Sequence, residues 1–232
     1  MAIESALLIL AAYLLGSVPA AYLAAKLTRG IDLRQYGSGN VGATNLMRVT
    51  SKRVAIPVFI FDSGKGMLMV WVAHLVGLDF TQQLAVGLAT IIGHNWPVFL
   101  HFSGGRGILT TMGVSIVLPL INGIEPWAMV VFAAIAIPGA VVRNTPLRVF
   151  VGLAALPLAS WLFGGPLILV IGYLVMLLLV IIRRLAVPRA TIAASISRRE
   201  LLVNRLLFDR DIRDREAWMS RLQAEQGKQR EG

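Results

Sequence analysis

The chain has 232 residues, of which 56% are apolar, a formal net charge of +10 and no cysteine. It is too apolar for a water-soluble globule, and the apolar residues come in blocks of membrane-spanning length. Disulfides, thiol nucleophiles and cysteine-ligated metals are excluded. His74, His94 and His101 show no metal-ligand spacing, so no metal is expected.

In chain order, the apolar blocks predict an all-α integral membrane protein with about seven transmembrane helices. The first block covers about 3–25. It lacks a basic n-region and a small-x-small cleavage site, and reads as a retained span. The second covers about 54–77, with helix starts expected at Thr50 and Ser51. The third, about 82–102, is interrupted by Gly93, His94 and Pro97 and is expected to be partly re-entrant. The fourth, about 107–121, is short for a span. The last three, about 126–142, 147–163 and 166–182, are Leu, Val, Ile and Ala with Gly and Pro and read as scaffold. No inverted repeat of the transporter kind is visible.

Basic residues mark alternate loops: 26–53, 103–106, 143–148 and 183–232. The opposite side carries Glu4, Asp79 and Glu125 and no Lys or Arg. Positive loops stay in the cytoplasm, so the N-terminus is expected outside and the C-terminus inside. The expected organisation is a transmembrane domain over 1–182 and a cytoplasmic basic tail over 183–232. Within that tail, Arg198 to Gln226 mixes charge with Leu201, Leu206, Phe208 and Trp218. It reads equally as an amphipathic helix on the inner leaflet or as a solvated helical tail.

Two loops carry anion-binding chemistry. Tyr36 to Arg48 combines Gly37, Gly39 and Gly42 with Ser38, Asn40, Thr44, Asn45 and a terminal guanidinium, and Ser103-Gly104-Gly105-Arg106-Gly107 repeats the pattern. Small residues let the backbone approach a phosphate, N–H groups form a nest and arginine holds the charge. Gly-Ser-Gly is also an ordinary turn, and most loop arginines are ordinary positive-inside residues. The nucleotide-binding pattern GxxxxGK[ST] is absent. Within the second block Asp62 and Lys65 stand three apart, share a helix face and are expected to pair, either as a structural clamp or beside a polar site.

With these residues in view, the chain resembles the bacterial acyl-phosphate:glycerol-3-phosphate acyltransferases, the PlsY family. The resemblance runs over about residues 12–113. It rests on Gly16-Ser17-Val18-Pro19, the thirteen-residue run from Tyr36 to Arg48, Phe61-Asp62 with Lys65-Gly66, Gly93-His94 with Pro97 and Phe99, and the Gly104 to Gly107 loop. It implies acyl transfer from acyl-phosphate to the 1-hydroxyl of sn-glycerol 3-phosphate, giving lysophosphatidic acid and phosphate. It also implies a bacterial inner (cytoplasmic) membrane location with the site facing the cytoplasm. Membrane lipids and the soluble acyl-phosphate-forming enzyme, PlsX, are the implied partners, and nucleic acid is not one.

The implied catalytic residues are Ser38, Arg48 and Arg106. The implied substrate-binding residues are Gly37, Gly39, Asn40, Thr44, Asn45, Lys65, His94, Gly104, Gly105 and Gly107. His94 and the substrate's own phosphate are the candidate bases. The chain departs from the family in having Arg106 where the family has lysine. It also lacks the third motif, His-x-x-Asn-Ile-x-Arg-Leu: Arg183 to Arg189 holds no His or Asn, and Asn204-Arg205-Leu206 comes later in a different context. A small-anion transporter and a catalytically altered or inactive paralogue are the alternatives.

Overall fold

The computed structural model describes residues 2–138, 145–186, 196–214 and 216–218. Among them the secondary structure is helical, with α1 Ala2–Gly16, α2 Ala20–Arg29, α3 Ala43–Val49, α4 Lys52–Leu75, α5 Phe80–Asn95, α6 Ile108–Ile121 and α7 Trp127–Ala136. They are followed by α8 Thr145–Leu162, α9 Leu167–Leu185 and α10 Arg198–Phe208. Short 3-10 turns occupy Leu33–Gln35 and Val98–Leu100.

Four stretches among the described residues are long and apolar enough to cross a membrane: Ile3–Arg29, Lys52–Leu75, Thr145–Leu162 and Leu167–Leu185. The apolar α6 and α7 are shorter. Leu7, Leu10, Phe59, Ile60, Trp161 and Leu174 are exposed. Such a greasy exterior suits hydrocarbon as the solvent. The molecule is an all-helical, multi-pass integral membrane protein.

The first block differs from its expected form. It is two helices rather than one, because Pro19 has no N–H to donate and drives Val18 out of helical geometry. The Ala20 N–H bonds the Val18 carbonyl at 3.1 Å, so the Gly16 carbonyl at the end of α1 loses its helical partner. Lys65 takes that place, with Nζ donating to Gly16 O at 3.0 Å. A cation on the exposed carbonyls of a helix C-terminus is electrostatically favoured. The expected interruption of the third block is present: α5 stops at Asn95, ahead of Trp96-Pro97. Ser51 caps α4, accepting from the Val54 N–H, as expected for a helix start. Thr50 instead ends α3, and its hydroxyl donates to the Leu46 carbonyl at 2.7 Å.

Two helix pairs hold the site end of the bundle, α1 with α5 and α4 with α6. Each is close because glycine lets one backbone meet another. A Cβ on Gly16 would collide with the Thr90 carbonyl, and one on Gly93 with the Tyr13 carbonyl. Gly113 lies in the same way against the Ser63 carbonyl, and Gly66 against Thr110 O. In lipid, where helices gain little from apolar burial, such small-residue contacts supply the van der Waals packing that associates them. The largest apolar core joins Val70, Val114, Leu118, Leu156, Tyr173 and Met176, tying α4 and α6 to the helices of the second half of the chain. A separate core of Ala21, Leu33, Val41, Leu46, Val58 and Leu100 seats the first glycine-rich loop against α2 and α4.

In the tail, α10 ends at Phe208 and packs on α8 and α9. Its buried residues are Leu201, Asn204 and Arg205, with Arg205 paired to Asp211 at 2.7 Å. Arg143, Arg189 and the residues from 219 onward lie outside the described residues.

Candidate active site at the two glycine-rich loops

The first loop is closed by its own asparagine. Asn45 is 1% exposed. Its Oδ1 accepts the Ser38 N–H at 2.8 Å, and its amide donates to the Tyr36 carbonyl at 2.9 Å and the Leu33 carbonyl at 3.4 Å. Gly37 and Gly39 have φ of 58° and 71°, the left-handed turns this closure needs. The Gly39 N–H bonds the Tyr36 carbonyl at 3.0 Å and the Gly42 N–H bonds the Asn40 carbonyl at 3.1 Å. The N–H groups of Ser38, Gly39 and Gly42 are therefore used inside the loop. Its outer face also carries side chains. The Ser38 hydroxyl makes no hydrogen bond among the described residues, and the buried Asn40 Oδ1 has no partner there. Thr44 and Arg48, four apart on α3, share an exposed face.

The second loop is held from outside itself. Arg183, at the end of α9, donates through Nε to Gly105 O at 2.9 Å and through Nη2 to Gly104 O at 2.7 Å. The Gly105 N–H is bonded to the His94 carbonyl at 3.1 Å. Gly105 is therefore not a free donor, and the cradle expected from three glycines falls to Gly104, Arg106 and Gly107. Gly107, at φ 70°, starts α6. Arg106 extends past this loop to Asp209, with Nε–Oδ1 at 2.7 Å.

The loops meet at Gly105. A Cβ there would lie 2.7 Å from the Val41 carbonyl oxygen and would collide with His94 Nε2. Beneath this junction is a buried cluster. Lys65 Nζ is 2.9 Å from Asp62 Oδ1, 2.9 Å from His94 Nδ1 and 3.0 Å from Gly16 O. The Asp62–Lys65 pair expected from the spacing is present, and both side chains are almost wholly buried. Lys65 Nζ hydrogen-bonds Gly16 O and pairs with His94 Nδ1 and the Asp62 carboxylate, so its contacts are directed into the protein. An ammonium cannot accept, so His94 Nδ1 is the acceptor and Nε2 carries the proton, an assignment made from the hydrogen-bond network. His94 thus presents a donor to the small cavity lined by Gly16, Ser17, Val41, Asp62, His94 and Gly105.

Sequence reasoning missed four residues here. Ser17 is fully buried on that cavity, and its Oγ has no partner among the described residues. Asn95, also fully buried beneath Gly107, has no partner for either amide atom among the described residues. Each adjoins a residue already singled out, Gly16 and His94, and that adjacency was the available signal. Arg183 and Asp209 had none, because they contact the second loop across 78, 79 and 103 positions of sequence. Of the described part of the region searched for a third motif, Arg183 reaches the loop. The segment set aside, beyond Asn204-Arg205-Leu206, is the one that returns to it through Asp209.

A bundle of lipid-facing helices with two arginine-bearing, glycine-rich loops joined at one end is a candidate site for a phosphorylated ligand in a membrane protein. The chain belongs to the glycerol-3-phosphate acyltransferase family, whose model matches residues 6–192. It is 41% identical over 227 residues to glycerol-3-phosphate acyltransferase 5 of Dehalococcoides mccartyi, covering 95% of each chain. A glycerol-3-phosphate acyltransferase of Prochlorococcus marinus is 48% identical over 102 residues, 44% of this chain and 52% of the relative. Among solved structures, PlsY (YgiH), an integral membrane glycerol 3-phosphate acyltransferase in its glycerol 3-phosphate form, superposes with a TM-score of 0.70 at 32% identity. The match covers 78% of this chain and 88% of that one. The lysophosphatidic acid form gives a TM-score of 0.64 at 30% identity.

Proposed function

We propose that this protein transfers the acyl group of an acyl-phosphate to the 1-hydroxyl of sn-glycerol 3-phosphate, giving lysophosphatidic acid and inorganic phosphate. The observation that carries this reading is the junction of two cationic glycine-rich loops over His94 at one end of an apolar bundle. Both substrates are phosphorylated and the donor carries an apolar tail, so arginine-bearing loops at the end of a lipid-facing bundle suit the pair.

The hydroxyl oxygen attacks the acyl carbonyl carbon, the carbon–oxygen bond to phosphate breaks, and the departing phosphate takes the proton. An acyl-phosphate is already activated, so no covalent enzyme intermediate and no cofactor is required. Catalysis rests on holding the two substrates together and stabilising the charge that develops. We assign Arg48 and Arg106 to phosphate and developing charge. Ser38, Asn40 and Thr44 are assigned to hydrogen bonds with the substrates, and His94 Nε2 to donation toward the reacting groups. Gly104 and Gly107 give backbone access. Lys65, Asn45, Gly37, Gly39 and Gly105 hold the loops in place.

We take 1–182 as the transmembrane acyltransferase domain and 183–232 as a cytoplasmic tail that lends Arg183 and Asp209 to it. The alternation of basic loops supports a cytoplasm-facing site with the N-terminus outside, and the family resemblance supports a bacterial inner membrane. Acyl-phosphate then arrives from the soluble enzyme that makes it, PlsX.

Purified protein given palmitoyl-phosphate and radiolabelled glycerol 3-phosphate should form labelled lysophosphatidic acid with equimolar phosphate release. Arg106→Ala should lose about 2–5 kcal/mol of transition-state stabilisation, the usual cost of removing one partner of a buried charge contact. Folded protein that makes no product, or an Arg106→Ala variant with wild-type kcat/KM, contradicts the proposal.

A further inference from the structure

Asp209 stands where the backbone favours glycine. It ends α10 with φ 57° and ψ 39°, a left-handed conformation that is unfavourable for a residue bearing a Cβ. Its carboxylate meets Arg106 at Nε, and the pair is largely buried, with side chains 12% and 26% exposed. The contact engages the Nε–H, on the stem side of the guanidinium. The Nη donors form no hydrogen bond with another described residue. An anion competing for the substrate's place would take the fork end, where two parallel N–H groups match a phosphate.

We propose that Asp209 is a positioning residue: it grips the Arg106 guanidinium at Nε and turns the free Nη end toward the substrate phosphate. Arginine has a long, rotamer-rich side chain, and fixing it before the substrate arrives removes that ordering from the binding step. The grip also ties the cytoplasmic tail to the second glycine-rich loop, so the arm beyond α9 completes the phosphate site. The proposal rests on the reading of Arg106 as a phosphate ligand.

The full-length protein serves for the test, with inorganic phosphate as the probe and kcat and KM for glycerol 3-phosphate measured alongside. Asp209→Gly keeps the left-handed turn but removes the partner of a largely buried guanidinium, so binding is measured on folded protein well below the variant's own Tm. Phosphate binding should weaken about 10-fold, the scale of one charge-assisted hydrogen bond, with the loss in KM more than in kcat. Asp209→Asn retains an oxygen that accepts from Nε and should stay within about 3-fold of wild type. In an Arg106→Lys background, which has no Nε, Asp209→Gly should change phosphate binding by less than about 2-fold.

Tighter phosphate binding by Asp209→Gly would overturn the proposal in favour of an internal competitor. Unchanged binding, or an equal loss in both backgrounds, would reduce Asp209 to a structural residue. Arg106-dependent phosphate binding that responds to Asp209 as expected, without lysophosphatidic acid formation by the wild type, would uphold the positioning role and sink the acyltransferase reading.

Discussion

In the first glycine-rich loop one buried asparagine satisfies the backbone from within. Asn45 reaches Ser38, Tyr36 and Leu33, at most 12 positions away. In the second loop the backbone is satisfied from elsewhere: the Gly104 and Gly105 carbonyls by Arg183, and the Gly105 N–H by the His94 carbonyl. The difference divides the labour. A self-closed loop is a rigid rim that offers side chains, namely Ser38, Thr44 and Arg48. A loop suspended between α5, α9 and the tail takes its shape from three parts of the fold at once, and any of them can alter where Arg106 points.

Three substitutions sharpen or break this contrast. The largest effect is expected from Asn45→Ala. It leaves the Ser38 N–H without a partner, at about 1–3 kcal/mol for such a group, and takes the asparagine donor from the Tyr36 and Leu33 carbonyls, which keep the Gly39 and Tyr36 N–H groups. Thermal unfolding should show a large fall in Tm. A Tm within a degree or so of wild type would mean that the first loop is not closed by Asn45.

Arg183→Lys comes next. One ammonium cannot reproduce a two-pronged contact with adjacent carbonyls, so kcat/KM should fall about 10-fold, equivalent to ~1.4 kcal/mol, with little change in Tm. Equal kcat/KM would mean that the second loop keeps its shape unaided.

The smallest effect is expected from Arg34→Ala, before the first loop. The Arg34 hydrogen bond holds the Asp32 carboxyl below the usual carboxylate range. A depressed folded-state pKa gives stability that is present above the unfolded pKa and is lost as pH falls through the folded one. The pair is at the surface, so its loss should cost at most about 1 kcal/mol at neutral pH. Equilibrium denaturation should show that difference shrinking at acid pH. A difference independent of pH would assign the effect to something other than the carboxylate.

The sequence made some features of this site legible and not others, and the division follows contact range. Asp62 and Lys65, three apart on one helix, were expected to pair and do. The two loops were recognisable because glycines, hydroxyls and an arginine between apolar blocks have few other uses. The break in the first block was signalled by Gly16-Ser17-Val18-Pro19, yet a composition window spans those residues without registering it. The roles of Lys65 and Asn45 were less visible. Their residue types fit phosphate binding equally well, and only the geometry shows their donors occupied by Gly16, His94, Tyr36 and Leu33. Arg183 and Asp209 were invisible because an arginine after a span and an aspartate in a charged tail are unremarkable in one dimension. Their significance comes from the chain folding back after α9.

The most direct test measures lysophosphatidic acid formation and Tm together on wild type, Asn45→Ala and Arg183→Lys, assaying each well below its own Tm. The account predicts that wild type forms the product, that Asn45→Ala loses more stability than Arg183→Lys, and that Arg183→Lys loses more kcat/KM per degree of Tm. Proportional losses of activity and stability in both variants, or no product from folded wild type, would contradict it.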